Sequence, residues 1–382
     1  MKEIGVGLIG TGFMGKCHAM AFGGVSAVFA SPLKPRLEVL CDIDGDTAKS
    51  SAGDFGFARW ATDWKDIIAD PAIQIVAITS PNALHKEMAI AAARAGKHVY
   101  CEKPMALTLT DAGEMADAAA QAGIKTLVGY NYIKNPAVVH AKRLIEEGTI
   151  GDIGYFRGVY DEDYMADPTL PFSWRCRIAD AGTGTLGDLA CHLVSVAHFL
   201  AGPVASVCAD IETIHKKRPD PENPGETGAV ENEDIAHALL RFESGIAGNI
   251  ASSRVAWGRK CGLAWEVTGS RGSIVFDQER MNELRIFIAD GPDAERGFKT
   301  IMTGPLHPPY GRFCPAPGHG LGFNELKVIE VDHLLRGIAG EEALFPDFTA
   351  ALAIERVIHG IVASSTKKSW VSVASHQDSG AK

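Results

Sequence analysis

Ile4-Gly5-Val6-Gly7-Leu8-Ile9, followed by Gly10-Thr11-Gly12-Phe13-Met14-Gly15 and then Lys16 to Ala21, is the stretch around which the chain is organised. The apolar run reads as a buried parallel strand, the glycines as a tight turn, and Lys16 onward as a helix. In a G-x-G-x-x-G turn each glycine has its own task. Gly10 makes the turn, Gly12 lets backbone N–H groups approach a pyrophosphate, and Gly15 lets the helix pack on the strand. The positive end of the helix dipole then faces the phosphates. Glycine-rich turns are common in a chain with 41 glycines, so the motif takes its meaning from the strand before it and the helix after it.

Moving outward, a loop of small residues is expected over 23–35, and Arg36-Leu37-Glu38-Val39-Leu40-Cys41-Asp42 reads as a second strand ending in an acid. An acid there accepts hydrogen bonds from the adenosine ribose hydroxyls and repels a 2′-phosphate, which favours NAD over NADP. Asp42 lies 32 residues past Gly10, against a usual spacing of about 20, and the 23–35 loop accounts for the excess. The competing reading of Asp42 is a helix or turn cap, a role for which Asp44 and Asp46 also contend.

Strand and helix then alternate. Helices are expected over 46–55, 64–68, 83–95 and 110–122, and strands over 73–78, 98–101 and 126–130. That rhythm means a doubly wound parallel sheet, in which ligands bind at the carboxyl ends of strands. Asp42, Ser80 to Asn82 and Glu102-Lys103 all fall at such ends. Past about residue 135 the texture changes. A helix is expected over 136–147, an alternating strand over 153–163 and a long helix over 186–200. Strands follow at 204–214, 235–242, 247–254, 264–269 and 272–276, then helices at 323–337 and 348–364. Successive strands without intervening helices indicate an antiparallel sheet. The proline-dense stretch 215–233 reads as an exposed loop, and 375–382 as a disordered tail. The expected organisation is a nucleotide-binding domain over 1–131 and an α+β domain with a large, mostly antiparallel open sheet over 132–374.

Composition sets bounds on function. A length of 382 residues favours two domains over one core. Lys and Arg number 37 against 47 Asp and Glu, a net charge of −10, which argues against nucleic acid or an anionic membrane as partner. The eight cysteines, at 17, 41, 101, 176, 191, 208, 261 and 314, form no C-x-x-C pair. They read as reduced thiols with no metal implied. The apolar run at 4–9 is too short for a signal sequence, and no stretch reads as long enough to span a membrane, so a cytoplasmic protein is expected.

Asp188 and His192 lie four apart at the start of the helix expected from 186, and so share one face. The bland reading is an acid meeting the helix dipole and a satisfied, partly buried histidine. The functional reading is a general acid/base whose proton affinity a neighbouring carboxylate tunes. Lys103, between a strand end and Pro104, is ambiguous by itself, but its place in the crevice turns it toward function.

The ordered set of a strand–GxGxxG, Glu102-Lys103-Pro104, Asp188-x-x-x-His192 and a strand-rich second half resembles the glucose–fructose oxidoreductase / inositol dehydrogenase / MocA family. The resemblance implies a Rossmann domain, NAD(P), a sugar or polyol substrate oxidised at a carbinol, and a homodimer or homotetramer formed through the open sheet. It implies that Lys103 orients the substrate hydroxyl, His192 takes its proton, and Asp188 bonds substrate or His192. Cofactor contacts implied with Gly10, Gly12, Gly15 and Asp42 are Phe13, Met14, Ser80, Asn82, His85, Glu102, Lys103, Trp174 and Arg175. Substrate contacts implied are Lys103, Tyr132, Glu162, Tyr164, Asp188 and His192. Asp161-Glu162-Asp163-Tyr164-x-Ala166-Asp167-Pro168, Ser173-Trp174-Arg175, Arg296-Gly297-Phe298-Lys299-Thr300 and Thr303-Gly304-Pro305-x-His307-Pro308 resemble the levoglucosan dehydrogenase-like branch, whose substrate is a 1,6-anhydrosugar. The chain departs from that branch at Glu162 and Tyr164, where Gln and Trp are expected. A carboxylate in place of an amide changes which hydroxyls can be bound. Two alternatives keep the fold: redox-assisted glycoside cleavage, and a non-catalytic dinucleotide-sensing regulator. Lys103, Asp188 and His192 together weigh against the second, and Lys103 against the first.

Overall fold

The structure is a computed structural model that describes residues 2–373, and the tail expected over 375–382 lies outside them. The chain forms two compact units, Met1–Lys134 with Leu321–Leu352, and Asn135–Gly320 with Ala353–Lys382. The helix Phe323–Ala339 was expected in the second domain, yet it belongs to the first unit.

In the first unit the strands are β1 (Lys2–Ile9), β2 (Leu33–Cys41), β3 (Arg59–Ala61), β4 (Ile75–Ile78), β5 (His98–Cys101) and β6 (Thr126–Val128). Among the described residues they make one parallel sheet in the order β3-β2-β1-β4-β5-β6. The order reverses between β1 and β4. At such a switch point the connections leave in opposite directions and open a crevice beyond the strand ends. The central strands are apolar because both faces are covered, and Ile75-Val76-Ala77-Ile78 is buried throughout. The expected loop over 23–35 is largely helix and strand. The helix Phe13–Val28 runs through Gly23-Gly24 because Phe22 and Val25 bury on either side of them, and β2 already begins at Leu33.

Among the described residues the second unit holds a nine-stranded sheet in the order β16-β15-β14-β13-β7-β12-β11-β8-β17. Its strands are β7 (Ile153–Asp161), β8 (Val204–Glu212), β11 (Ile235–Phe242), β12 (Ala247–Ser253), β13 (Gly262–Gly269), β14 (Gly272–Asp277), β15 (Glu283–Ile288), β16 (Lys299–Met302) and β17 (Val371–Ser372). Its pairs are antiparallel except β7 with β12. Along β11, Ala236, Ala238, Leu240 and Phe242 face inward while His237, Leu239 and Arg241 face out, the period of a sheet buried on one side. The helix Cys191–Ala201 comes so close to β7 that a Cβ on Gly158 would stand 2.5 Å from Leu193 Cδ1.

The stretch 215–233 is not simply an exposed loop. Strands β9 (Lys217–Pro219) and β10 (Thr227–Ala229) pair as a hairpin. The prolines confine it to three rungs, and Arg218 is buried, donating to the carbonyls of Met165 and Asp167. Two helical stretches, Ile178–Ala201 and Phe348–Lys367, match a membrane span in length and apolarity, contrary to the sequence reading. Their most apolar windows are 83% and 61% buried within the protein, which accounts for that character.

Candidate active site

In the first unit the phosphate turn is built by close approach. Gly10 has φ +98°, and a Cβ on it would lie 2.8 Å from the Thr79 carbonyl oxygen. A Cβ on Gly15 would overlap the Gly10 carbonyl. Gly12 differs: no atom lies within 4 Å of where its Cβ would stand, so protein packing does not demand glycine there. Gly12 is the N-cap of the helix Phe13–Val28, which has neither a side-chain cap nor an acid in its first turn. Its leading N–H groups therefore have no capping side chain and carry the positive end of the helix dipole, which fits a pyrophosphate. Phe13 projects from this turn, 72% exposed, with its ring stacked 5.7 Å from that of Phe323. Met14 beside it is half-buried.

Asp42, at the end of β2, accepts from the Thr11 amide at 3.2 Å and the Thr11 hydroxyl at 2.5 Å, both on Oδ2. Asp44 takes the cap of the helix Gly45–Phe55, accepting from the Thr47 amide at 2.8 Å. The two acids have thus separated: Asp44 serves the helix, and Asp42 is tied to the glycine turn. Ser80 and Asn82 lie half-buried just beyond β4.

Two expected cofactor contacts have buried side chains. His85 is fully buried, its ring nitrogens each 3.0 Å from a carbonyl oxygen, Pro104 on one side and Ser80 on the other. Burial lowers its basicity, opposed by those carbonyls. It braces the loop after β4. Glu102 is also buried, because its oxygens are engaged inside the unit. Oε1 meets His18 Nε2 and Lys327 Nζ, each at 2.7 Å, and Oε2 accepts the Lys103 amide at 3.3 Å. Burial alone would raise the pKa of Glu102, but Lys327 and His18 outweigh it and hold the carboxyl well below the usual carboxylate range. Lys103 follows, half-buried. Tyr132 is buried edge-on to Phe323, with ring centres 6.3 Å apart.

In the second unit, the expected α-helix from 186 opens as a π-helical turn, Leu186–Ala190, before Cys191–Ala201 continues as α. Such bulges widen a helix locally and recur at functional sites. Four residues make close to one full π turn, so Asp188 and His192 remain on one face. Glu233 fixes the turn, Oε1 accepting from the Leu186 amide at 2.9 Å. Tyr164 donates to Asp188 Oδ2 at 2.6 Å. Burial, with the Asp188 charge added, pushes the Tyr164 hydroxyl well above its usual value, so it stays a donor. The Tyr160 ring stands edge-on to His192, centres 6.1 Å apart, and its hydroxyl donates to Glu162 Oε1 at 2.9 Å.

Trp174 and Arg175 also lie in this unit. The Arg175 guanidinium sits 4.5 Å from the Trp174 ring centre, while the Arg175 carbonyl accepts from Asn232 at 2.9 Å. The structure thus groups Gly10, Gly12, Gly15 and Asp42 in one unit and Glu162, Tyr164, Asp188 and His192 in the other. His18 and Lys327, which hold Glu102, carried no local signal in the sequence.

The chain matches two family descriptions. Residues 4–130 match the oxidoreductase family, NAD-binding Rossmann fold, and residues 138–275 match the GFO/IDH/MocA C-terminal domain. Levoglucosan dehydrogenase of Pseudarthrobacter phenanthrenivorans is 40% identical over 98% of this chain and 99% of its own. The scyllo-inositol 2-dehydrogenase (NAD(+)) of Bacillus subtilis is 27% identical over 76% of this chain and 78% of its own. Among solved structures, levoglucosan dehydrogenase in complex with NADH and levoglucosan superposes with a TM-score of 0.94 at 40% identity, covering 98% of this chain and all of the other. An NAD-binding oxidoreductase from Klebsiella pneumoniae does so at 0.94 and 43%, with the same coverage.

Proposed function

Because this chain belongs to the GFO/IDH/MocA family of NAD-dependent oxidoreductases, we propose that it oxidises a ring hydroxyl of a sugar, anhydrosugar or polyol to the ketone. The observation that carries the reading is the end-to-end likeness to a levoglucosan dehydrogenase. The uncapped turn at Gly12 and Asp42 tied to Thr11 suit NAD: the turn from Gly10 to Gly15 would hold the pyrophosphate, and Asp42 the adenosine ribose hydroxyls. When bound, the cofactor supplies the hydride acceptor.

The chain's own residues handle the proton and the oxygen. His192 takes the hydroxyl proton as the carbon gives up hydride, which prevents an alkoxide from accumulating. Lys103 places a cation against the oxygen where negative charge develops. Asp188, held by Tyr164, orients the hydroxyl or the imidazole. Glu162 and Tyr164 select among sugars: the carboxylate accepts hydrogen bonds only, and the Tyr164 hydroxyl, its proton engaged in the bond to Asp188, likewise offers the sugar an acceptor. Copies of the chain are expected to associate as a homodimer or homotetramer. The test is NAD and NADP reduction across anhydrosugars, aldoses, glycosides and inositols. Turnover of one of these classes with NAD supports the reading, and none with either cofactor overturns it.

A further inference from the structure

Lys103 follows directly on a buried set of ionisable groups that the proposed chemistry does not use. Glu102 Oε1 is shared by His18 Nε2 and Lys327 Nζ. Lys327 is itself buried and 3.0 Å from Glu330, and the Tyr100 hydroxyl donates to Glu330 across 2.5 Å. The His18 ring stacks on Tyr100 with centres 4.2 Å apart. All these residues lie in the first unit, although Lys327 and Glu330 come from the helix Phe323–Ala339. The groups are packed without slack: a Cβ on Gly129 would stand 2.6 Å from Glu102 Oε1 and 2.9 Å from Lys327 Nζ. The other carboxylate oxygen, Oε2, accepts the backbone amide of Lys103 at 3.3 Å.

From this geometry we infer that Glu102 and Lys327 are positioning residues: Lys327 and His18 hold Glu102 in one rotamer, and Glu102 holds the main chain from which the Lys103 side chain springs. The inference rests on the proposed role of Lys103. A carboxylate with one oxygen shared by two donors cannot rotate without breaking a buried ion pair, so the Lys103 amide is referred to a fixed point in the core. Misplacing a catalytic group by about 1 Å costs on the order of a hundredfold in rate, so a few tenths of an ångström at Lys103 would register in kcat. Cofactor affinity, carried by the Gly10–Gly15 turn and Asp42, would be little affected.

The test uses Glu102→Gln, Lys327→Met, the double variant of both, and Lys103→Ala, each in the full chain. It measures kcat, KM, NADH affinity by fluorescence, and thermal unfolding. Lys327→Met alone leaves a buried carboxylate unpaired and is expected to lose stability as well as turnover. The double variant removes the Glu102–Lys327 pair but leaves Glu330 buried with the Tyr100 hydroxyl as its remaining donor, so it is expected to regain part of the thermal stability lost in Lys327→Met while kcat stays down about tenfold or more, with NADH affinity within about threefold. A double variant with wild-type kcat, or single variants that turn over normally, overturns the inference and leaves the network structural. Should Lys103→Ala keep its turnover, the proposed role of Lys103 falls, and the inference that depends on it falls too.

Discussion

The hydroxyl of Tyr164 donates to Asp188 Oδ2 across 2.6 Å, joining the segment after β7 to the π-helical turn. A neutral donor to a carboxylate in a half-buried site contributes about 1.5–3 kcal/mol. Tyr164→Phe keeps the ring and removes the bond. Its kcat/KM is expected to fall about tenfold to a hundredfold, with the melting temperature lowered by no more than about 10 °C. Steady-state kinetics beside a melting curve decide it, and an unchanged kcat/KM would release Asp188 from this dependence.

Gly12 and Gly15 of the glycine turn are expected to fail in different ways. Gly12 has an ordinary φ of −62° and empty space at its Cβ position, so Gly12→Val should fold with a wild-type melting temperature and lose NADH binding about tenfold or more. Gly15→Ala forces a Cβ onto the Gly10 carbonyl and should lower stability first. Equal melting temperatures with equal NADH affinities would contradict the placement of the pyrophosphate at Gly12.

In the proposed reading Asp42 decides cofactor preference through its charge. With Asp42→Ser, NAD is expected to weaken about tenfold, because the carboxylate's bonds to the ribose hydroxyls are lost, while NADP gains as repulsion of the 2′-phosphate disappears. The ratio of kcat/KM for the two cofactors reads this directly. A ratio that does not move would return Asp42 to a purely structural bond with Thr11.

Lys103→Ala and His192→Ala are each expected to abolish turnover by about a thousandfold or more while NADH still binds. Unchanged activity in both would sink the assignment of the proton-handling residues, whatever the substrate.

Much of the first unit was legible because its signals are local. Gly10, Gly12 and Gly15 sit within six residues, and the strand runs around Ile75 and Val99 are apolar on both faces. The errors arise where distant chain segments decide. Gly23-Gly24 reads as a loop until Phe22 and Val25 are seen to bury around it. Glu102 enters as a cofactor contact through the family resemblance, and no local signal in the sequence marks the buried network that holds its side chain. Its partners lie 84 and 225 residues away, and no spacing rule reaches that far. The hairpin over 217–229 was hidden because prolines were read as breakers throughout, whereas here they bound a pair of short strands. The π turn at Leu186 has no composition cue, and the Glu233 carboxylate that fixes it comes from the far end of the 215–233 stretch.

The helix Phe323–Ala339 completes the unit that begins at residue 1, and this bears on how the protein can be cut and recombined. A fragment ending near Lys134 would keep Glu102 in its interior but lack the Lys327 ammonium that neutralises it and the Phe323 ring that stacks on Phe13. The nucleotide-binding half is therefore not a portable cassette. A chimera that exchanges it must carry both segments, and during synthesis its charged interior can close only after more than three hundred residues have been made.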